Sequence, residues 1–419
     1  MIVDLAQLLI FGIIVDWAFR KLSVPGVIGM LLLGTAFGPH LLNRINPELL
    51  TASGDLRMLA LVVILLRAGF ELSKKTLNKV GGRVALLSVV PALMEGAAVT
   101  VLGPPLLGLT TMESAVLGSV LAAVSPAVVV PMMIGFIGRG MGAAKGIPTM
   151  VLAASALDNG FVIVVYSALV GILTGQSVNI AWKLAGIPMA IALGIGVGLI
   201  AGLALFHLFS RFNPRATKRV LVILALSVIL AHIEHLIAGR VPFAALPAIM
   251  AIGFIILEKD EHMAHELSVR FGKIWVFAEI VLFTLVGTQV NIDAALKAGM
   301  IGAAALIAGG LAARSLGVRL CLIGSGLNRG ERLFVVVSYI PKATVQAAIG
   351  GGAMLVMAAA GMDTGPGEII LAVAVFSILL TAPLGALAIA FTGERTLETT
   401  DSPFDDARAA AIESEGDAQ

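Results

Sequence analysis

The chain has 419 residues, of which 58% are hydrophobic and 13% are charged, and its mean hydropathy is +1.02. A soluble domain is about 25% charged, so this composition excludes an ordinary soluble protein and predicts an all-α polytopic membrane protein. The formal net charge of +2 says little, because orientation depends on where the charges lie. Cys321 is the only cysteine, which excludes an intrachain disulfide and a cysteine-based metal site.

Thirteen apolar stretches of roughly 20 residues, the length that crosses a bilayer as a helix, follow one another along the chain. The first has no basic residue before it and no small-residue cleavage site after it, so we expect it to be retained as a span. The polar, acidic stretch 393–419 is predicted to be a disordered cytoplasmic tail. The predicted spans are residues 2–19, 25–43, 55–70, 83–108, 113–137, 147–174, 180–210, 217–238, 241–257, 271–290, 296–323, 332–359 and 367–392.

The connections between the spans alternate in charge. The odd-numbered connections and the tail carry most of the 28 Lys and Arg residues, whereas the even-numbered connections carry few. Basic residues favour the cytoplasmic side of a membrane, so this alternation places the N-terminus outside and the C-terminus in the cytoplasm. We expect a multi-pass protein of the inner or plasma membrane.

Two spans carry prolines where a continuous helix needs amide donors. The fifth contains Pro126 and Pro131 in AAVSPAVVVP, and the twelfth contains Pro341 in IPKATVQAAIG. Broken helices at membrane depth are tolerated where they are buried in protein or line a wet cavity. Because these spans are seven apart, they run in opposite directions, which predicts inverted repeats with a binding site at the two breaks. The repeats are placed at about 1–174 and 217–392, joined by a linker helix at about 180–210.

Glycines at four-residue spacing in the seventh span predict close helix packing. They are Gly194, Gly198 and Gly202. Small residues at this spacing let two helices approach closely. We favour packing within the chain over a dimer contact.

Ionisable residues inside the spans are costly and indicate function. Asp158 lies in the sixth span, and a carboxylate at this depth needs a proton, a cation or a basic partner. A site that accepts a proton or a cation, but not both, exchanges one for the other. Lys342 follows Pro341 directly, and it either takes part in transport or compensates helix dipoles. A structural ion pair between Asp158 and Lys342 is the alternative.

Three more intramembrane charges stand in the fourth, tenth and eleventh spans. Glu95 and Arg314 are seven spans apart, and we predict that they form a structural ion pair. Glu279 has no obvious basic partner in the sequence and is a candidate accessory site. Ser125 and Thr344, beside the two breaks, are candidate additional ligands for a cation.

The chain resembles the monovalent cation/proton antiporters. Four features carry the resemblance: AAVSPAVVVP, KGIPT, the acidic position at 158–159, and IPKATVQAAIG. Within that superfamily they most resemble the branch of the animal NHA-type sodium/proton exchangers and their bacterial relatives. The resemblance covers about residues 1–392. It implies a core domain with crossed broken helices that moves, elevator fashion, against a dimerisation domain, and it implies a homodimer. By position, Asp158 matches the first aspartate of the family's Asp-Asp pair and Lys342 the lysine of its PKATVQ motif. Glu95 and Arg314 match its buried acidic/basic pair.

One position departs from the family pattern. The second aspartate of the pair, usually taken as the main cation-binding carboxylate, is here Asn159. The related electroneutral branch has Asn-Asp, with the aspartate second, and does not explain this order. Either Asp158 alone serves this protein, or Asn159 is an inactivating substitution, natural or engineered.

Together these features predict a sodium or lithium/proton antiporter that binds sodium at Asp158 and Asn159. No cofactor and no nucleic-acid partner are expected; the partners are the bilayer and a second copy of the chain. A potassium/proton antiporter of the same superfamily is an alternative, although the short tail leaves no room for a nucleotide-binding domain. A sodium-coupled organic-anion symporter on a related fold is another. An intramembrane aspartyl protease is disfavoured, because the second break carries Lys342 where that enzyme needs an aspartate.

Overall fold

The structure is a computed structural model that describes residues 1–22, 25–72, 74–174, 180–237, 241–289 and 300–399. The described residues are helical apart from turns, loops and a single antiparallel bridge between Met141 and Thr399. The helices are α1 (Ile2–Lys21), α2 (Gly26–Phe37), α3 (Pro47–Phe70), α4 (Lys74–Leu87), α5 (Val90–Leu107), α6 (Thr111–Leu121), α7 (Pro126–Gly138), α8 (Ile147–Leu173), α9 (Ile180–Phe212), α10 (Ala216–Ile237), α11 (Ala245–Lys259), α12 (Glu261–Gly287), α13 (Met300–Cys321), α14 (Arg329–Ser338), α15 (Thr344–Ile349), α16 (Gly352–Ala359) and α17 (Gly365–Thr396).

Each of the thirteen predicted spans coincides with one helix or with a run of broken helices. Within the described ranges, nine helical stretches are long and apolar enough to cross a membrane. The all-α polytopic fold is therefore confirmed. The other four predicted spans correspond to the short α2 and α11, to α12 with its charged first turns, and to the interrupted run from α14 to α16, so the number of crossings stays a prediction.

Three helices, α3, α4 and α12, begin well before the apolar stretches that predicted them. In α4 the buried Val80, Val84 and Leu87 repeat at helical spacing among polar residues. In α12 the first turn is capped by Asp260, whose carboxylate accepts a 2.9 Å hydrogen bond from the Met263 amide. A search for continuous apolar runs misses such amphipathic turns. The prediction of a disordered tail was wrong for residues 393–399, because α17 continues to Thr396 and Thr399 pairs with Met141. The rest of the predicted tail, 400–419, lies outside the described residues.

The glycine repeat of the seventh predicted span packs within the chain. A Cβ on Gly194 would meet the carbonyl oxygen of Ala244, and one on Gly198 would meet that of Ala248. The backbones of α9 and α11 therefore approach as closely as glycine allows. This is the intramolecular packing that the spacing favoured.

Burial separates the centre of the bundle from its periphery. In the span formed by α6 and α7, 83% of the most apolar window is buried, whereas in α1 the share is 17%. The apolar side chains of α1, among them Ile10, Ile14 and Trp17, are exposed, as expected of a helix that faces lipid. The broken helix formed by α6 and α7 thus lies at the centre of the protein.

Candidate functional site

Two interrupted helices meet at the centre of the protein. α6 ends at Leu121 and α7 begins at Pro126, while α14 ends at Ser338 and α15 begins at Thr344. The non-helical segments 122–125 and 339–343 touch, because the amide of Ser125 donates a 2.9 Å hydrogen bond to the carbonyl oxygen of Pro341.

The interruptions coincide with Pro126 and Pro341, as predicted, but not with Pro131. Pro131 lies inside α7, and the helix continues past it to Gly138. One proline removes a single amide donor, and packed neighbours of a membrane helix can compensate for that loss. The prediction that Pro131 also breaks the helix was wrong.

Three other backbone amides at the two interruptions are bonded by side chains. The amide of Val124 donates to the Asp158 carboxylate over 2.8 Å. The amide of Lys342 donates to the Thr381 hydroxyl over 3.0 Å, and that of Ala343 to the side-chain oxygen of Gln346 over 2.9 Å. Buried amides need such partners, so Thr381 and Gln346 belong to the site although the sequence analysis missed them. For Gln346 a signal existed, since it is a polar residue inside the PKATVQ motif.

Four charged side chains, none more than 2% exposed, form a connected ionic cluster: Glu95, Asp158, Arg314 and Lys342. Glu95 is 2.8 Å from Arg314 and 2.6 Å from Lys342. A second guanidinium nitrogen of Arg314 lies 3.3 Å from both oxygens of Asp158. With two carboxylates and two cationic groups, the ionised cluster is formally neutral.

The sequence left open an ion pair between Asp158 and Lys342, but in the structure Asp158 pairs with Arg314. Among the described residues, the basic side chain within 4 Å of Asp158 is Arg314, and Lys342 pairs with Glu95 instead. The planar guanidinium can reach two carboxylates at once, which a lysine ammonium does less well. Arg314 also donates to the carbonyl oxygen of Ala122 and lies 5.2 Å from the ring centre of Tyr339.

Several buried polar atoms beside this cluster have no hydrogen-bond partner in the part of the chain that the structure describes. They are both amide atoms of Asn159 and the hydroxyls of Ser125, Thr344 and Tyr339. Buried polar groups are normally bonded to protein or water, so unpaired ones need an explanation. Neutral oxygens of this kind suit Na⁺ or water, and Asn159, Ser125 and Thr344 were the ligands that the sequence predicted.

Glu279 lies apart from this cluster. It borders a cavity of about 480 Å³ together with Arg20 and Arg67, so basic neighbours exist that the sequence did not reveal. One wall of the cavity comes from α1, α3 and α12, and the other from residues of α7, including Ile134 and Gly138. The cavity thus lies between α7, the second half of a broken helix, and the helices α1, α3 and α12.

Comparison with known proteins agrees with this architecture. Residues 6–395 match the family described as "Sodium/hydrogen exchanger, transmembrane". The chain is 31% identical over 385 residues to sodium/hydrogen exchanger 9B2 of Homo sapiens, covering 90% of this chain and 71% of that protein. To sodium/hydrogen exchanger 9B1 of Homo sapiens it is 29% identical over 381 residues, covering 89% and 73%.

A solved structure shows the same fold. The sodium proton antiporter MjNhaP1 from Methanocaldococcus jannaschii superposes with a TM-score of 0.75 at 20% identity, covering 94% of this chain and 98% of that one. The family match and this fold confirm the resemblance drawn from the motifs. Exchangers of this family move their ions without a cofactor and are not enzymes. The chain belongs to the sodium/hydrogen exchanger family and is a multi-pass membrane transporter of the cation/proton antiporter class.

Proposed function

We propose that the chain has the architecture of an antiporter that exchanges Na⁺ or Li⁺ for protons at a site centred on Asp158, and that Asn159 impairs this exchange. The Asp158 carboxylate is fully buried where the two broken helices touch, and unpaired neutral oxygens adjoin it. A buried carboxylate must be neutralised, and a proton and a metal cation do this in mutually exclusive ways. Competition for one carboxylate couples the two ions.

Charge balance in the ionic cluster supports a specific role for Asn159. Glu95 and Asp158 are already balanced by Arg314 and Lys342. A bound cation would therefore add a net positive charge to a neutral, buried cluster, which is unfavourable where the dielectric is low. An amide oxygen can coordinate a cation but cannot release a proton at physiological pH.

We infer that the chain as written exchanges sodium poorly or not at all. An aspartate in place of Asn159 would give the cluster one negative charge, which either a proton or a cation can balance. The formal neutrality of the cluster is the single observation that carries this proposal.

Transport by this chain is proposed to follow an elevator motion in a homodimer. The cavity of about 480 Å³ between α7 and the wall of α1, α3 and α12 supports relative movement of these two groups. Movement of the group that contains α7 would carry the touching interruptions and Asp158 with it. The dimer rests on the resemblance to the family alone.

The proposed orientation puts the N-terminus outside and the C-terminus in the cytoplasm of an inner or plasma membrane. Connections that the charge alternation assigns to one side contact each other. Lys145 bonds Glu331 over 2.7 Å, and Arg83 bonds the carbonyl oxygen of Gly324 over 2.7 Å. These contacts support a common, basic face, which the positive-inside rule places in the cytoplasm.

The proposed ion exchange is tested by proton flux in proteoliposomes driven by a Na⁺ or Li⁺ gradient. We expect little flux for the parent chain, clear flux for Asn159→Asp, and none for Asp158→Asn or for Asn159→Asp combined with Asp158→Asn. Asn43→Asp makes the same chemical change at an exposed position and should behave like the parent. Robust sodium/proton exchange by the parent would overturn the role given to Asn159 and leave Asp158 as the sole working carboxylate.

Sodium-dependent melting tests binding separately from transport. A ligand that binds only the folded protein stabilises it by RT ln(1 + [L]/Kd), about 2.7 kcal/mol at a hundred times Kd. Sodium should raise the melting temperature of Asn159→Asp and leave that of the parent nearly unchanged. Protection that survives in the Asp158→Asn form would place the ion site elsewhere, with Glu279 the next candidate.

A further inference from the structure

One buried side chain, Gln346, joins the ends of two half-helices. It lies in the first turn of α15 and is completely buried. Its amide oxygen accepts a 2.9 Å hydrogen bond from the amide of Ala343, at the N-terminus of its own helix. Its amide nitrogen donates to the carbonyl oxygens of Val120 and Ala123, at the C-terminal end of α6, over 3.1 and 2.9 Å.

This arrangement needs an acceptor and two donors on one short side chain. A helix N-terminus has free N–H groups and a helix C-terminus has free carbonyl groups. Glutamate would supply acceptors only, and lysine or arginine would supply donors only. A primary amide satisfies both ends at once, and the length of Gln346 matches the gap between α15 and α6.

The carbonyl of Ala123 and the amide of Val124 belong to the same peptide unit. Gln346 bonds the carbonyl end of that unit, and Asp158 accepts a 2.8 Å hydrogen bond from the amide end. Hydrogen bonds in series polarise one another, so a donor at the carbonyl strengthens the amide as a donor. The bond from Gln346 also fixes where the Val124 amide points.

We propose that Gln346 is a positioning residue for the ion site, and that it acts on the Asp158 carboxylate through the peptide between Ala123 and Val124. It holds this peptide with its amide directed at the Asp158 carboxylate and so fixes the position of that carboxylate. The consequence for transport rests on the proposed role of Asp158 as the exchanging group. The structural consequence is that the Val124 amide keeps a fixed direction, and it holds whether or not Asp158 exchanges ions.

Two variants separate this effect of Gln346, exerted through the peptide between Ala123 and Val124 and called the relay below, from a general effect of packing. Gln346→Met keeps the length of the side chain and loses all three hydrogen bonds, and Gln346→Glu keeps the acceptor for Ala343 and loses the amide donors. Ser119→Ala is the matched control, because Ser119 is a buried residue of α6 whose hydroxyl donates to the carbonyl of Val116 within its own helix. If Gln346→Met does not fold, the comparison of Gln346→Glu with the parent tests the proposal.

The first measurement is hydrogen exchange of the Val124 amide, followed by mass spectrometry in detergent. We expect exchange at least about tenfold faster than in the parent for both Gln346 variants, as the loss of about one hydrogen bond would produce, and no change for Ser119→Ala. This readout requires no transport, so it tests the relay even if the proposed ion exchange fails.

The second measurement is the KM for Na⁺, read beside the maximal rate, of sodium-driven proton flux in the Asn159→Asp background. An Asp158 carboxylate that is no longer held by a fixed amide should bind the cation less well, so KM should rise at least about threefold in the Gln346 variants. Unchanged Val124 exchange together with an unchanged KM would overturn the proposal. An equal rise in KM in Ser119→Ala would do the same, since it would show a general effect of packing.

Discussion

The two interruptions touch at one point, yet different chemistry holds each of them. In the first, charged side chains bond the backbone, Arg314 at the carbonyl of Ala122 and Asp158 at the amide of Val124, beside the neutral Gln346 at the carbonyl of Ala123. In the second, neutral Thr381 and Gln346 bond the backbone amides. The second interruption contributes the Lys342 ammonium to the ionic cluster, but its own backbone amides are bonded by neutral side chains.

This difference separates a responsive segment from a fixed one. Hydrogen bonds to ionised groups are about twice as strong as neutral ones, and they weaken when the group gains or loses its charge. Protonation or cation binding at Asp158 therefore acts directly on the segment 122–125. In the segment 339–343 the amides of Lys342 and Ala343 bond neutral side chains, so these hydrogen bonds do not depend directly on the charge of Asp158. The two interruptions thus resemble each other in their backbone, while, in the described part of the chain, charged side chains bond the backbone only in the first.

Replacing Arg314 with alanine is expected to have the largest effect on stability. The change removes one of two partners of Glu95, the basic partner of Asp158 and the donor to Ala122. Loss of one partner from a buried charge pair costs about 3–5 kcal/mol. Thermal melting in detergent should show this loss, and Arg20→Ala, which opens an exposed ion pair with Asp16, should cost at most about 1 kcal/mol.

The double variant Glu95→Gln with Arg314→Gln should melt above Arg314→Ala, because the two charges that remain, Asp158 and Lys342, balance each other, whereas Arg314→Ala leaves the buried cluster with a net negative charge. It should still melt below the parent, because Asp158 loses its guanidinium. Parent-like melting of Arg314→Ala would mean that the charged cluster does not hold the first interruption.

Replacing Lys342 with methionine tests the second interruption and should cost less. Glu95 keeps Arg314 at 2.8 Å when the ammonium is lost, and Thr381 and Gln346 still hold the backbone. We expect about 1–3 kcal/mol, the range for a buried polar partner left incompletely bonded. The measurement is the same melting experiment, run beside Arg314→Ala. If Lys342→Met proves as damaging as Arg314→Ala, the proposed asymmetry between the interruptions is wrong.

The sequence predicted those features that follow from local chemistry. Pro126 and Pro341 mark the interruptions because a missing amide and a restricted preceding residue act within a few positions along the chain. The intramembrane charges were found because apolar surroundings make them conspicuous. Pro131 was predicted wrongly by the same rule, since tertiary packing in α7 tolerates one missing donor.

The features that the sequence missed depend on contacts between distant residues. Asp158 and Arg314 are 156 positions apart, and no spacing rule predicts that this arginine, and not Lys342, lies beside the aspartate. Thr381 was overlooked because a threonine in an apolar helix commonly bonds its own backbone, as this one also does through the carbonyl of Ser377. Its second bond, to the amide of Lys342, appears only once α17 packs beside the interruption.

The smallest expected effect on stability concerns an ion pair between the turn before α8 and the first turn of α14. Lys145, in the turn before α8, bonds the carboxylate of Glu331 in the first turn of α14 over 2.7 and 2.9 Å. Glu331 also accepts from the amide of Asn328, so the carboxylate caps the helix and binds the lysine at once. The hydrogen bond to Glu331 raises the pKa of Lys145 above its usual 10.5.

A raised lysine pKa fixes how this ion pair depends on pH. The folded protein holds the Lys145 proton more tightly than the unfolded chain does, so the stabilisation is fully present below pH 10.5 and disappears as the pH rises through the raised pKa. Lys145→Met should therefore melt below the parent at pH 8 to 10, and the difference should shrink towards pH 12. Lys75→Met, at an exposed position of α4, serves as the control and should match the parent throughout. A deficit in Lys145→Met that stays constant up to pH 12 would mean that the lysine stabilises the loop by packing and not by its charge.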